Sequence, residues 1–168
     1  VIGSGPPLTS INPANNQTIW HGHAATSAEV AAAFEAALHT SNTWANLKLS
    51  TRIVHLEQFA TCIQQHSEQL SHLIALETGK PLWEAATETA AVIQKIKLSM
   101  SAYQERTNTT ITQTDETKQC LRYKPHGVVA VLGAFNFPAH LSNGHIVPAL
   151  LAGNTVVYKP SGHTPLVA

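Results

Sequence analysis

The chain has 168 residues, 43% of them hydrophobic, enough for one ordinary domain with a buried core. Ten Lys and Arg balance ten Asp and Glu, which leaves no net field to draw in nucleic acid, anionic lipid or a strongly charged partner. The longest apolar runs, 128–132 and 146–152, fall well short of the roughly 20 residues of a membrane span; Cys62 and Cys120 stand alone, without metal-ligand spacing, so a reducing, cytoplasmic setting is expected.

The opening run Val1–Pro7 has neither the basic start nor the apolar centre of a secretory signal. As far as Trp20 the text is rich in Gly, Pro and Asn and predicts a surface strand with turns. Thr26 and Glu29 then form a capping box, in which hydroxyl and carboxylate satisfy the free N–H groups of a helix start, and an Ala-rich helix follows to about Thr40. A second helix begins after Ser50, with Ile53, Leu56, Phe59, Ala60 and Ile63 on one face. Leu70, Leu73, Ile74 and Glu77 belong to a third, which ends at Gly79. Pro81 suits the first turn of a fourth, long helix to about Arg106, whose inner stripe reads as Trp83, Ala86, Ala90, Ile93, Ile96, Met100 and Tyr103.

From Thr107 to Lys118 the composition turns to Thr, Asn, Gln and Asp, marking a boundary and an exposed β-prone segment. Strands are predicted at Cys120–Lys124 and Val128–Leu132, a helix around Ser142–Leu151, and a strand at Thr155–Lys159 after the Gly153-Asn154 turn. Strand, helix and strand in that order make the βαβ unit of a parallel sheet, so the fold class is α/β. One crossover behind four helices is short of a stable sheet, and Thr164–Ala168 reads as the start of a further helix, so the chain is expected to be part of a larger fold.

Two places carry chemistry. Gly133-Ala134-Phe135-Asn136-Phe137-Pro138 leaves the carboxyl end of a predicted parallel strand, where open α/β sheets bind ligands. An Asn136 amide there can donate to an oxygen that gains negative charge; the same residue also suits an ordinary turn between two core Phe. Lys159 closes the next strand before Pro160, either as a donor to ribose hydroxyls or phosphate, or as a solvated strand end. The two are expected at neighbouring strand ends, facing a shared cleft. The ten His show no metal-binding pattern: His21 and His23 fall on a predicted loop, and His140 and His145 have no Cys or HExxH partner, so no metal is expected. Glu84 and Glu88 read as a solvated helix face, and Cys62 and Cys120 as structural thiols.

Four motifs in order, Glu77-Thr78-Gly79-Lys80-Pro81, Pro125–Leu141, Pro148–Ser161 and Thr164-Pro165, together resemble the aldehyde dehydrogenase superfamily over nearly the whole chain. Their fuller wording is most similar to the branch that oxidises succinylglutamate semialdehyde in arginine catabolism. The resemblance implies an NAD enzyme, with NADP possible, that oxidises an aldehyde to an acid. It implies that Asn136 holds the oxyanion, that Leu132, Gly133 and Ala134 lend backbone near the cofactor, and that Phe135 stands beside the nicotinamide ribose. By the same resemblance Lys159 binds the adenosine ribose and Ser161 lies where a 2′-phosphate is met. Where NAD-preferring members carry Glu after Lys-Pro-Ser, this chain has Gly162 and His163, which opens the site to NADP.

The resemblance also divides the chain into a helical part of the cofactor domain (1–110), oligomerisation-type strands (111–127) that imply a homodimer or homotetramer, and the start of the Rossmann-like dinucleotide sheet (128–168). The nucleophilic Cys and general-base Glu of the superfamily lie beyond the motifs present, so this stretch alone is expected to be inactive. A noncatalytic binding or assembly module, and a dehydrogenase for another semialdehyde, are the alternatives.

Overall fold

A computed structural model describes residues 3–168; the first two residues of the opening run lie outside them. Its elements run β1 (Pro7–Ile11), β2 (Thr18–His23), α1 (Ser27–Asn46), α2 (Leu49–Gln65), α3 (Ser67–Thr78), α4 (Leu82–Arg106), β3 (Thr110–Gln113), β4 (Lys118–Leu121), β5 (Val128–Leu132), α5 (Pro138–Leu151) and β6 (Thr155–Lys159). Three two-stranded sheets result: antiparallel β1–β2, antiparallel β3–β4, and parallel β5–β6. His21 and His23 therefore lie on a strand and not on a loop.

The local signals explain most boundaries. Thr26 caps α1 as expected, its hydroxyl accepting from Glu29 N while the Glu29 carboxylate accepts from Thr26 N at 2.7 Å. With the Ser4 backbone and side chain also donating to it, this carboxyl is held at a pKa of about 2; the Thr26 backbone bond contributes most. Gly79 ends α3 at φ 73°, a left-handed cap where any Cβ would stand 2.7 Å from the Pro13 ring. Pro81 is the N-cap of α4, one place before the expected first turn. The second hairpin pairs Lys118–Leu121 with Thr110–Gln113, a little earlier than predicted, because Thr114 and Thr117 close the turn between them. Every residue of β3 and β4 is exposed.

Strands β5 and β6 fall where the Val-rich runs place them, joined by α5, which begins at Pro138. Ala130 pairs with Val157 and Leu132 with Lys159, so these four share one face, and α1 lies over it. On the opposite face Tyr158 reaches α5, its hydroxyl 2.9 Å from that of Ser142. The core proper gathers Leu56 of α2, Ile96 of α4, and Val147 and Leu151 of α5, and α4 packs most extensively on α5. Arg52, buried in α2, donates to the carbonyls of Ala45, Leu47 and Leu151, closing the ends of α1 and α5 that carry no basic residue of their own.

Three expectations are corrected. The buried stripe of α4 is Ala85, Glu88, Thr89, Val92, Ile96 and Ser99, rotated from the predicted one, and Trp83 is 71% exposed. The rotation follows from polar bonds on that face: Thr89 meets Ser71, and the Val92 carbonyl accepts from Asn143. Both cysteines are exposed and free, so neither packs as a core thiol. Residues 161–168 hold turns and no helix; the N–H groups of Leu166 and Val167 are taken by the buried carboxylate of Glu77, which also accepts from the Ser10 hydroxyl.

Candidate active site

Residues of the candidate site gather at the carboxyl end of the parallel pair. Leu132 and Lys159 are register partners, and Gly133 N donates to the Lys159 carbonyl at 2.8 Å, extending the pairing by one residue. Glycine is required there: a Cβ on Gly133 would lie 2.8 Å from the Tyr158 hydroxyl and 3.2 Å from the Pro160 Cα. The Gly153-Asn154 turn sets the other end of the pair. Its Asn154 side chain accepts from His126 N and Gly127 N, which fixes where β5 starts relative to β6.

A cavity of about 450 Å³ opens on the α1 side of this pair. Its floor is Ala130, Leu132 and Val157, its wall Val30 and Phe34 of α1, and its rim Lys159 and Ser161. Apolar walls that end at an ammonium and a hydroxyl fit a flat ring system carrying hydroxyls or phosphate. Glu29 also lines the cavity, and at neutral pH it is anionic and already engaged by Ser4 and Thr26.

Gly133, Ala134, Phe135 and Asn136 do not line that cavity. Phe135 meets His163 edge to face, with 6.1 Å between centroids. The Asn136 carbonyl accepts from Lys80 Nζ at 2.9 Å, and the Asn136 amide is exposed, with no hydrogen bond among the described residues. Asn136 and Lys159 thus sit at adjoining strand ends, but Asn136 is not among the residues that line the cavity at Lys159.

Lys80 and Glu88 are the residues bonded to this loop and to the start of α5 that reading by motif missed. Glu88 was assigned to a solvated helix face; its side chain is fully buried, 2.9 Å from Lys80 Nζ, and its other oxygen accepts from Ala139 N and His140 N at the start of α5. Glu84 alone is partly solvated, with its carboxylate 3.9 Å from Lys80. The signal was available: Ala85, Glu88, Val92, Ile96 and Ser99 recur at helical spacing, and a carboxylate on such a stripe implies a buried cationic or N–H partner. Among the described residues no group of three His, Cys, Asp or Glu is placed to hold a metal ion, and no helix is long and apolar enough to cross a membrane.

Comparison with known proteins decides the family. The model of the aldehyde dehydrogenase family matches residues 3–168. The chain belongs to the aldehyde dehydrogenase family. N-succinylglutamate 5-semialdehyde dehydrogenase of Legionella pneumophila strain Corby is 56% identical over all 168 residues, and that of Pseudomonas fluorescens 49%. In both cases this chain spans about a third (34%) of the relative's length. Among solved structures, NADP-dependent glyceraldehyde-3-phosphate dehydrogenase from Bacillus halodurans, complexed with NADP, superposes with a TM-score of 0.92 at 26% identity, covering 99% of this chain and 37% of that one. GapN from Methanocaldococcus jannaschii, also complexed with NADP, gives 0.90 at 30% identity, covering 95% and 35%. This aldehyde dehydrogenase chain thus has the α/β architecture of the family over the stretch it covers, as its motifs imply.

Proposed function

We propose that the chain supplies the oxyanion donor and the adenosine side of the dinucleotide site to an NAD(P)-dependent aldehyde dehydrogenase that oxidises N-succinylglutamate 5-semialdehyde to the acid. The reading rests on one observation above all, the register that sets the Asn136 loop and Lys159 at adjoining ends of one parallel pair. The substrate is assigned from the 56% and 49% identical relatives of that name.

Lys159 Nζ and the Ser161 hydroxyl would hold the sugar hydroxyls or a 2′-phosphate, with the adenine against Val30, Phe34 and Val157. Bound nicotinamide would supply the hydride acceptor. Gly162 stands where a carboxylate would refuse a 2′-phosphate, so NADP is accepted alongside NAD. Asn136 donates its amide N–H to the aldehyde oxygen as that oxygen becomes an oxyanion, a task worth about 3 kcal/mol per donor. With no hydrogen bond to the amide among the described residues, the donor is available. The exposed β3–β4 hairpin, within the 111–127 stretch, serves self-association into a dimer or tetramer.

A steady-state panel of semialdehydes on the full-length enzyme tests the substrate: succinylglutamate semialdehyde gives the highest kcat/KM, and a higher value for another semialdehyde reassigns it. Light scattering of the full-length protein with and without the hairpin residues tests the assembly role.

A further inference from the structure

Lys80 and Glu88 touch neither the cavity nor the Asn136 amide, yet both hold the backbone that carries it. The Glu88 carboxylate, buried on α4, accepts from Ala139 N at 3.1 Å and His140 N at 3.2 Å, the first free N–H groups of α5. Helix α5 makes no side-chain cap of its own, so a residue 51 positions away in sequence performs that role. Its second oxygen holds Lys80 Nζ at 2.9 Å. The same ammonium donates to the Asn136 carbonyl at 2.9 Å and stands 4.0 Å from the centroid of Phe137. One ion pair therefore fixes the chain at residue 136 itself and again at 139 and 140, while leaving the Asn136 amide unoccupied.

The origin of this clamp is as constrained as its target. Lys80 follows the left-handed Gly79, whose α-hydrogen faces the Pro13 ring, so the stem of Lys80 leaves α3 in one direction. A buried ion pair contributes little net stability compared with a well-packed apolar pair, but with its hydrogen bonds satisfied it specifies one geometry. An oxyanion donor depends on geometry in just this way, since a displacement of about 1 Å costs on the order of a hundredfold in rate.

We infer that Lys80 and Glu88 are positioning residues that hold Asn136 in donor geometry, an inference that rests on the proposed role of Asn136. The test compares three variants of the full-length enzyme: Asn136→Ala, the pair Lys80→Met with Glu88→Gln, which leaves no lone buried charge, and all three changes together. With succinylglutamate semialdehyde as substrate, the pair variant is expected to lose about tenfold or more in kcat with KM within about threefold. In the Asn136→Ala background the same two changes are expected to cost nothing further, because the group they position is gone. An undiminished kcat in the pair variant, or the same fold loss with and without Asn136, overturns the inference. Unchanged kcat in Asn136→Ala alone overturns instead the donor reading beneath it. Should the pair variant not fold, Lys80→Arg keeps the charge against Glu88 while replacing the compact ammonium that meets the Asn136 carbonyl. It is expected to lose kcat without losing melting temperature, and wild-type kcat there equally overturns the inference.

Discussion

At the scale of single residues, the site depends on what each side chain is not doing. The amide of Asn136 makes no bond within the described chain, whereas its carbonyl is occupied by Lys80. Asn136→Ala in the full-length enzyme should therefore lower kcat by about a hundredfold or more while leaving the unfolding transition in place. Gly133 is the opposite case, a residue defined by lack of room. Gly133→Ala should destabilise the β5–β6 pair, because the added carbon meets both the Tyr158 hydroxyl and the Pro160 backbone. Loss of melting temperature greater than that of Gly127→Ala, where no atom lies within 4 Å and only the positive φ is strained, checks it. The proposed cofactor tolerance also turns on one position: Gly162→Glu should raise the NAD over NADP preference in kcat/KM by placing a carboxylate against the 2′-phosphate.

At the scale of elements, the capping box of α1 gives a pH dependence. Glu29 has its pKa lowered from 4.5 to about 2 by the backbone N–H of Thr26 first and by Ser4 next. A carboxylate with a depressed folded-state pKa contributes stability that is fully present above pH 4.5 and is lost as pH falls through about 2. Acid unfolding of Glu29→Gln should therefore be flatter than wild type between those values. Thr26→Ala should cost about 1 kcal/mol at neutral pH by removing the N-cap, as read by chemical denaturation.

What the sequence made legible at this scale was local. Strands β5 and β6 were readable because runs of Val stand between Gly and Pro, and the start of α1 because its cap lies within four residues. The sequence places its end at about Thr40, yet the helix runs on to Asn46, with the hydroxyls of Thr40 and Ser41 bonded back to the Ala36 and Leu38 carbonyls instead of breaking it. The start of α5 was placed too late because its cap, Glu88, comes from a different helix. The α4 stripe was rotated for the same reason: Thr89 and Glu88 are buried by partners on α3, α5 and the α3–α4 junction that no periodicity reveals. Asn136 and Lys159 were legible as candidates from their strand-end positions; the hold of Lys80 on the Asn136 carbonyl was not, since it comes from 56 residues away.

For the whole molecule, the stretch in hand carries the proposed donor and the proposed nucleotide rim, with neither cysteine beside them. Cys62 lies on α2 and Cys120 on the exposed β4, neither at the β5–β6 edge. These 168 residues by themselves should produce no aldehyde-dependent NADH, and absorbance at the reduced-nicotinamide band checks this directly. The buried Glu77 has a second consequence, for the order in which the protein assembles. It grips Ser10 from across 67 positions, and Leu166 and Val167 from across 89 and 90. On the ribosome, that carboxylate gains its full set of hydrogen bonds only after Val167 has left the exit tunnel, long after Ser10 and Glu77 themselves have emerged.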